Sequence, residues 1–187
     1  FFKKKIKKNS KLVISGSLPQ GFGNQDLIEL IIYAKENFCE IAVDIGGQCL
    51  EEIIKISPDI LKINSDEFKV AFNIDINELQ KILKFRKTHN IRELIITQGK
   101  EGSWGFFEED LIKAAPKTIY SDFSVGSGDS FFAGYLFGKE QNYTKEECLK
   151  IATACGVANT LHYGAAMFYK EDFEEQLKNV EIKKVIP

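Results

Sequence analysis

Ser124-Val125-Gly126-Ser127-Gly128-Asp129-Ser130 is followed directly by the apolar run Phe131–Phe137. Glycine at positions 126 and 128 lets the backbone turn sharply and approach a ligand closely, and the apolar run has the composition of a buried helix. The pattern therefore predicts a glycine loop that leads into a helix over residues 128–138. The N-terminus of a helix carries N–H groups without intrahelical acceptors and the positive end of the dipole, so it is suited to hold a phosphate.

Asp129 stands in the first turn of this predicted helix, beside the expected phosphate. A carboxylate repels a phosphate, so its presence there needs a reason of its own. Asp129 either caps the helix or accepts the proton of a hydroxyl group that attacks a phosphoryl group. The residues alone leave both roles open.

Before the glycine loop, short apolar segments alternate with segments of helical spacing. Strands are predicted at Lys11–Ser15, Ile41–Asp44, Asp59–Ile63 and Glu93–Thr97, and helices at Asn24–Asn37, Gln48–Ile56, up to Phe72, and Ile76–His89. Such strands, apolar throughout and alternating with helices, favour a parallel sheet covered on both faces. Residues 103–107 and 111–115 predict an antiparallel hairpin, and residues 145–161 and 170–179 two more helices. The expected fold class is α/β, with a mostly parallel sheet and a C-terminal antiparallel hairpin.

The composition limits the kinds of partner that are expected. The chain has 187 residues, of which 44% are hydrophobic, and this is enough for one core and a single domain over residues 1–187. A net charge of −2 provides no basic field for nucleic acid or a membrane surface, and no apolar run is long enough to span a bilayer. Four cysteines without metal-ligand spacing are expected to be reduced thiols. A cytoplasmic protein with small-molecule partners is expected.

Two further motifs each allow two interpretations. In Lys62-Ile63-Asn64-Ser65-Asp66-Glu67, an amide and a carboxylate three residues apart either orient a hydrated magnesium ion or cap a helix. Thr97-x-Gly99-x-x-Gly102 is either a turn or a loop that contacts a nucleotide. The chain has no Gly-x-x-x-x-Gly-Lys-Ser/Thr segment, so any nucleotide is held without a P-loop.

Together with Ser15-Gly16-Ser17-Leu18-Pro19, these motifs resemble the ordered signatures of the ribokinase/PfkB family of carbohydrate kinases, from about Lys11 to Val185. The resemblance implies a ribokinase-like three-layer α/β/α fold. It also implies that Asp129 is the catalytic base and that the amides of Gly126, Ser127 and Gly128 form an anion hole. Two positions depart from the family pattern: Ile63 replaces the usual proline, and Gly46 replaces the usual serine.

The resemblance assigns the remaining site residues and the cofactors. It implies ATP with magnesium held through water by Asn64 and Glu67, and possible potassium binding by carbonyl groups near Phe123, Val125 and Gly164. Ser17 and Asp129 are expected to contact the sugar phosphate. The expected nucleotide-binding residues are Lys62, Asn64, Thr97, Gly99, Gly102, Gly128, Gly156, Val157 and Asn159. For Gly156, Val157 and Asn159, which would contact the adenine, helix packing is the alternative.

The Ser15–Pro19 motif is similar to that of the hexose-phosphate branch of the family, which implies a kinase for a ketohexose phosphate. 1-Phosphofructokinase activity is the first choice and tagatose-6-phosphate kinase activity the alternative; a non-catalytic nucleotide-binding remnant is a third reading. The chain begins at Phe1 and its one methionine is Met167, so it is expected to be the C-terminal portion of a longer kinase. Residues 1–10 would then be the remainder of an upstream helix, and the full-length form a homodimer.

Overall fold

The computed structural model describes residues 2–47, 49–117 and 123–185. Two units can be distinguished. The first comprises the residues up to Ile96 together with Phe106–Glu109, and the second comprises Thr97–Gly105 and the residues from Asp110 onward. The predicted start of a helix at Gln48 lies outside the described residues.

The first unit alternates strands and helices, as the sequence predicts. After a 3-10 helix at Phe2–Lys5, its elements are β1 (Lys11–Ser15), α1 (Asn24–Glu36), β2 (Glu40–Asp44), α2 (Leu50–Lys55), β3 (Ile60–Asn64), α3 (Ser65–Phe72), α4 (Leu79–Thr88) and β4 (Glu93–Thr97). These four strands follow one another in the sheet in chain order. β1 pairs in parallel with β2, and β2 in parallel with β3. The carboxyl ends of these strands therefore lie at one edge of the sheet.

The inner strands and the first strand differ in burial. Ile41, Ala42 and Val43 of β2 have no exposed surface, as expected for a parallel strand covered on both faces. In β1, by contrast, Val13 is 45% exposed and no residue is buried, so the prediction of a buried strand at residues 11–15 is wrong. The physical reason is its position: β1 is the outermost strand in the sheet order and pairs only with β2.

The second unit carries the hairpin and the helices of the glycine loop. Its elements, wholly or mainly, are a 3-10 helix at Gly99–Glu101, β5 (Ser103–Phe106), β6 (Leu111–Pro116), α5 (Ser127–Glu140), α6 (Lys145–Asn159), α7 (Lys170–Asn179) and β7 (Val180–Val185). The strand order is β5, β6, β7, and β6 pairs antiparallel with β7. Strand β7 was not predicted from the sequence.

Helices α5 and α6 pack closely because glycine and cysteine face each other. A Cβ atom on Gly134 would lie 2.8 Å from Sγ of Cys155, and one on Gly138 would lie 3.0 Å from Sγ of Cys148. All four cysteines are free thiols, as predicted. Burial raises the pKa of Cys155 to about 11, so this thiol serves packing and not reactivity. Within the described ranges, none of the helices has the length and apolar composition needed to cross a bilayer.

Candidate functional site

The glycine loop turns directly into α5, which begins at Ser127, one residue before the predicted start. Gly126 precedes the helix with φ of 80°, a left-handed conformation that glycine adopts without strain. The Ser127 amide donates to the Ser124 carbonyl, and the Ser130 amide to the Gly126 carbonyl. A Cβ atom on Gly126 would also lie 2.6 Å from Cβ of Ala165. Backbone conformation and close contact thus both require glycine here.

Asp129 is the third residue of α5, and its side chain is exposed. The N-cap position belongs to Gly126, which as glycine offers no side chain for capping. Gly128 and Asp129 hold the second and third positions, where a helical amide has no acceptor within the helix. The first turn of α5 therefore presents amide groups and a carboxylate at the same helix end.

A cavity of about 260 Å³ in the second unit is lined by this first turn. Six of the predicted nucleotide-binding residues line it: Thr97, Gly99, Gly102, Gly128, Gly156 and Val157. Lys100 and Lys117 line it as well, which adds positive charge, and Phe131 contributes an apolar wall. The mixture of apolar surface, glycine backbone and lysine suits a ligand with a flat ring and phosphate groups.

Two glycines shape the cavity wall. Gly102 has φ of 88°, and a Cβ atom there would lie 2.0 Å from the carbonyl oxygen of Ala114. Gly156 of α6 lets that helix approach the start of α5, since a Cβ atom there would lie 3.3 Å from the carbonyl oxygen of Ser127. Any larger residue at position 102 or 156 would displace the neighbouring backbone or occupy part of the cavity.

Asn159 is the one predicted nucleotide-binding residue of the second unit that does not line the cavity. Its side chain has no exposed surface and hydrogen-bonds to residues of the glycine loop and of the segment after α6. The adenine contact of Asn159 stays a prediction. In the structure, its buried side chain lies between the glycine loop and the segment after α6. The sequence signal for this arrangement is one polar residue directly after the apolar and small residues 156–158.

The segments that carry the predicted potassium-binding carbonyl groups contact each other. The ring of Phe123 meets the ring of Tyr163 edge to face, with 5.8 Å between the centroids. A Cβ atom on Gly126 would lie 2.6 Å from Cβ of Ala165, so these two residues are closely packed. Gly164 adopts φ of 115°. The carbonyl of Val125 accepts a hydrogen bond from Asn159 and keeps a second lone pair. The two segments that carry these carbonyl groups therefore lie against each other, and the potassium site stays a prediction.

In the first unit, Lys62 is the third of the five residues of β3 and is only 7% exposed. Its ammonium group donates to both carboxylate oxygens of Asp44, at 2.9 and 2.8 Å. A buried ammonium group needs such a partner. The sequence analysis predicted Lys62 as a nucleotide-binding residue but did not predict its ion pair with Asp44.

Asn64 and Glu67 lie at the junction of β3 and α3. Oδ1 of Asn64 accepts the Glu67 amide at 2.8 Å, so Asn64 is the N-cap of α3. A Cβ atom on Gly46 would lie 3.4 Å from the Glu67 carboxylate, which places that carboxylate beside the loop after β2. No cluster of three or more histidine, cysteine or acidic residues occurs among the described residues. One exposed carboxylate beside an amide oxygen fits a magnesium ion that keeps most of its waters.

Ser17 lies in the loop that follows β1, where its side chain is exposed. This loop starts at Gly16, with φ of 85°, and the Gly16 amide donates to the Asp44 carbonyl at 3.1 Å. Ser17, Lys62, Asn64 and Glu67 belong to the first unit, whereas the other predicted site residues belong to the second.

Comparison with known proteins gives consistent results. The model of the pfkB family carbohydrate kinases matches residues 1–171. Tagatose-6-phosphate kinase of Staphylococcus epidermidis is 31% identical over 97% of this chain and 61% of its own length. 1-Phosphofructokinase of Borreliella burgdorferi is 26% identical over 97% of this chain and 60% of its own length.

Among solved structures, phosphofructokinase-2 of Escherichia coli in complex with potassium superposes with a TM-score of 0.84 at 25% identity. The match covers 94% of this chain and 59% of that protein. The likeness confirms the predicted α/β fold class. The chain spans about three fifths of the length of the relatives that it matches.

Proposed function

Since the chain belongs to the pfkB family of carbohydrate kinases, we propose that it binds ATP in the cavity of the second unit. The protein would use it to phosphorylate a hydroxyl group of a ketohexose phosphate. The observation that carries this proposal is the cavity itself, because six residues chosen from sequence motifs line it together with the first turn of α5. The terminal phosphate of ATP would lie at that turn, where amide groups and the helix dipole favour an anion.

The chemistry follows from the groups at the start of α5. Asp129 takes the proton of the acceptor hydroxyl group, whose oxygen forms a bond to the γ-phosphorus as the bond to the β-phosphate oxygen breaks. ADP leaves, and the amides of Gly126 and Gly128 stabilise the charge on the moving phosphoryl group; the amide of Ser127, the third predicted member of the anion hole, would join them on release from the Ser124 carbonyl. Asp129 occupies the first turn of α5, which keeps a proton acceptor beside the group that is transferred.

The proposal includes two cations. Magnesium, held through water by Asn64 and Glu67, would neutralise the charge of the nucleotide phosphates when bound. Potassium would be held by carbonyl groups near Phe123, Val125 and Gly164. The potassium complex of the E. coli protein supports this part of the proposal.

For the acceptor, the first choice is fructose 1-phosphate, with Ser17 in contact with its phosphate. The second candidate is tagatose 6-phosphate, which the higher identity to the staphylococcal kinase favours, at 31% against 26%. A third candidate belongs to another class: a protein that binds nucleotide without catalysis. The predicted homodimer and the cytoplasmic location stay predictions.

The experiment measures binding and turnover separately. Magnesium-ATP is titrated into the 187-residue chain in a calorimeter, and ADP production is measured with fructose 1-phosphate, tagatose 6-phosphate and fructose 6-phosphate. The same assays are run on the longest reading frame that contains the chain. ATP binding with turnover of one sugar phosphate supports the kinase; binding without turnover in either protein supports the non-catalytic candidate. Absence of ATP binding in both proteins contradicts the proposed function.

A further inference from the structure

The last residue of α6 has a fully enclosed side chain whose hydrogen-bonding capacity is completely used. Nδ2 of Asn159 donates to the Val125 carbonyl at 2.8 Å and lies 3.4 Å from Oγ of Ser127. Oδ1 accepts the Ser130 hydroxyl group at 3.2 Å and the Ala166 amide at 2.6 Å. Both donors and both acceptor sites of the amide are thus engaged, and none reaches solvent.

The four partners of Asn159 belong to three segments around Gly126. Val125 and Ser127 are the neighbours of Gly126, and Ser130 lies one turn further along α5. Ala166 belongs to the segment after α6, whose neighbouring residue Ala165 contacts Gly126. One side chain therefore connects the glycine loop, the first turn of α5 and the segment after α6.

We propose that Asn159 is a positioning residue that holds the glycine loop, residues 124–128, in the conformation that receives the nucleotide phosphate. This inference rests on the proposed function, since it concerns the same ATP site. A loop with two glycines would otherwise populate many conformations, and ordering it on binding would weaken the affinity for phosphate. Hydrogen bonds from Asn159 fix the loop beforehand, so the amides of Gly126 and Gly128 need no rearrangement when the phosphate arrives.

The residue type supports a positioning role. An apolar side chain of the same size would leave the Val125 carbonyl, the Ala166 amide and the buried Ser130 hydroxyl group without this partner. An aspartate could accept from Ser130 and Ala166, but as a carboxylate it could not donate to Val125 and would place an oxygen against that carbonyl. Asparagine alone, among residues of this shape, offers both donors and acceptors.

The test compares two ligands that share the adenine and the ribose. ATP and adenosine are titrated into the 187-residue chain and into the variant Asn159→Asp. Because adenosine has no phosphate, its affinity reports on the cavity without the phosphate contacts of the loop. We expect ATP affinity to fall by about tenfold or more, while adenosine affinity changes less than about twofold. A general loss of structure would weaken both ligands alike.

Two further variants make the outcome unambiguous. Gln176→Ala removes the other buried amide side chain of the second unit, which is 5% exposed, and should leave the ratio of ATP to adenosine affinity unchanged. Ser130→Ala removes a single partner of Asn159 and should lower that ratio by less than Asn159→Asp does. It replaces Asn159→Asp as the test if the latter fails to fold.

The possible results separate the two proposals. If the unaltered chain binds neither ligand, the proposed nucleotide site is wrong, and the role of Asn159 falls with it. If the unaltered chain binds ATP, and the Asn159→Asp chain keeps the same ratio of ATP to adenosine affinity, only the positioning role is overturned. A lowered ratio in both Asn159→Asp and Ser130→Ala, with an unchanged ratio in Gln176→Ala, supports it, because Ser130→Ala adds no negative charge that could repel the ATP phosphates.

Discussion

The ammonium group of Lys62 in β3 lies 2.9 and 2.8 Å from the two carboxylate oxygens of Asp44, the last residue of the neighbouring strand β2. The side chains are 9% and 15% exposed, so water screens the pair little. Removing one member of such a pair leaves a poorly solvated charge, whereas removing both can be nearly neutral.

Lys62→Met should therefore lower the free energy of unfolding by about 3 kcal/mol, and the double variant Lys62→Met/Asp44→Leu by clearly less. Urea unfolding followed by circular dichroism measures both. Lys69→Met is the matched control, because Lys69 pairs with Asp75 at the same distance, 2.8 Å, with 60% of its side chain exposed. We expect a much smaller loss there, because water screens this exposed pair. Equal losses for Lys62→Met and Lys69→Met would contradict the buried-pair argument.

Gly126→Ala should destabilise the second unit by at least about 2 kcal/mol, since a left-handed backbone and a contact with Ala165 both oppose a side chain. Fluorescence of Trp104, the single tryptophan, reports on this unit during urea unfolding. Gly99→Ala is the comparison: Gly99 also has a positive φ, 52°, but nothing lies within 4 Å of its Cβ position. The excess loss in Gly126→Ala isolates the contact with Ala165. A loss no larger than that of Gly99→Ala would show that the contact relaxes freely.

Acid should weaken the second unit through Asp110. Its hydrogen bond with Lys145, followed by the interaction with Lys184, lowers its pKa below the usual 3.8. The native state therefore binds this proton less readily than the unfolded state, so the stabilisation is complete above about pH 4 and is lost as the pH falls through the native pKa. Trp104 fluorescence during urea unfolding between pH 3 and 7 measures this loss.

Asp110→Asn should flatten the acid limb of that profile, and Glu181→Gln, an exposed position on β7, should leave the limb unchanged. Salt should reduce the effect, because the lysine partners are 41% and 58% exposed. An Asp110→Asn profile with the same slope as the unaltered chain would assign the acid sensitivity to other groups.

Structural features that depend on neighbouring residues could be predicted from the sequence, whereas contacts between residues far apart in the chain could not. Local periodicity located the helices and the inner strands, because one face of each repeats along its own segment. Strand β7 was not predicted. Its apolar residues Val180, Ile182 and Val185 are separated by charged residues, as in an exposed strand, but this short pattern directly follows the charged helix α7. The sequence motifs predicted six of the residues that line the cavity. The ion pair of Lys62 joins residues 18 positions apart, and the hydrogen bond from Asn159 to Val125 joins residues 34 positions apart. No local pattern encodes such contacts.

The functional assignment depends most directly on Asp129, and the chain contains its own control. Asp26 and Asp129 are each the third residue of a helix whose N-cap is glycine. In α1 the Asp26 carboxylate accepts the Gly23 amide at 2.8 Å, which is a structural role. Asp26→Asn keeps an oxygen that can accept the Gly23 amide, so it should change stability little and leave phosphoryl transfer intact.

Asp129→Asn should lower the turnover number by about 10²- to 10⁴-fold, because an amide cannot accept the proton of the sugar hydroxyl group. Its affinity for ATP should stay the same or rise, since a negative charge beside the terminal phosphate is removed. Turnover is measured on the longest reading frame, and ATP binding on both proteins. If Asp129→Asn and Asp26→Asn keep equal activity, then Asp129 is a helix-terminal carboxylate like Asp26, and the proton must leave the sugar by way of another group.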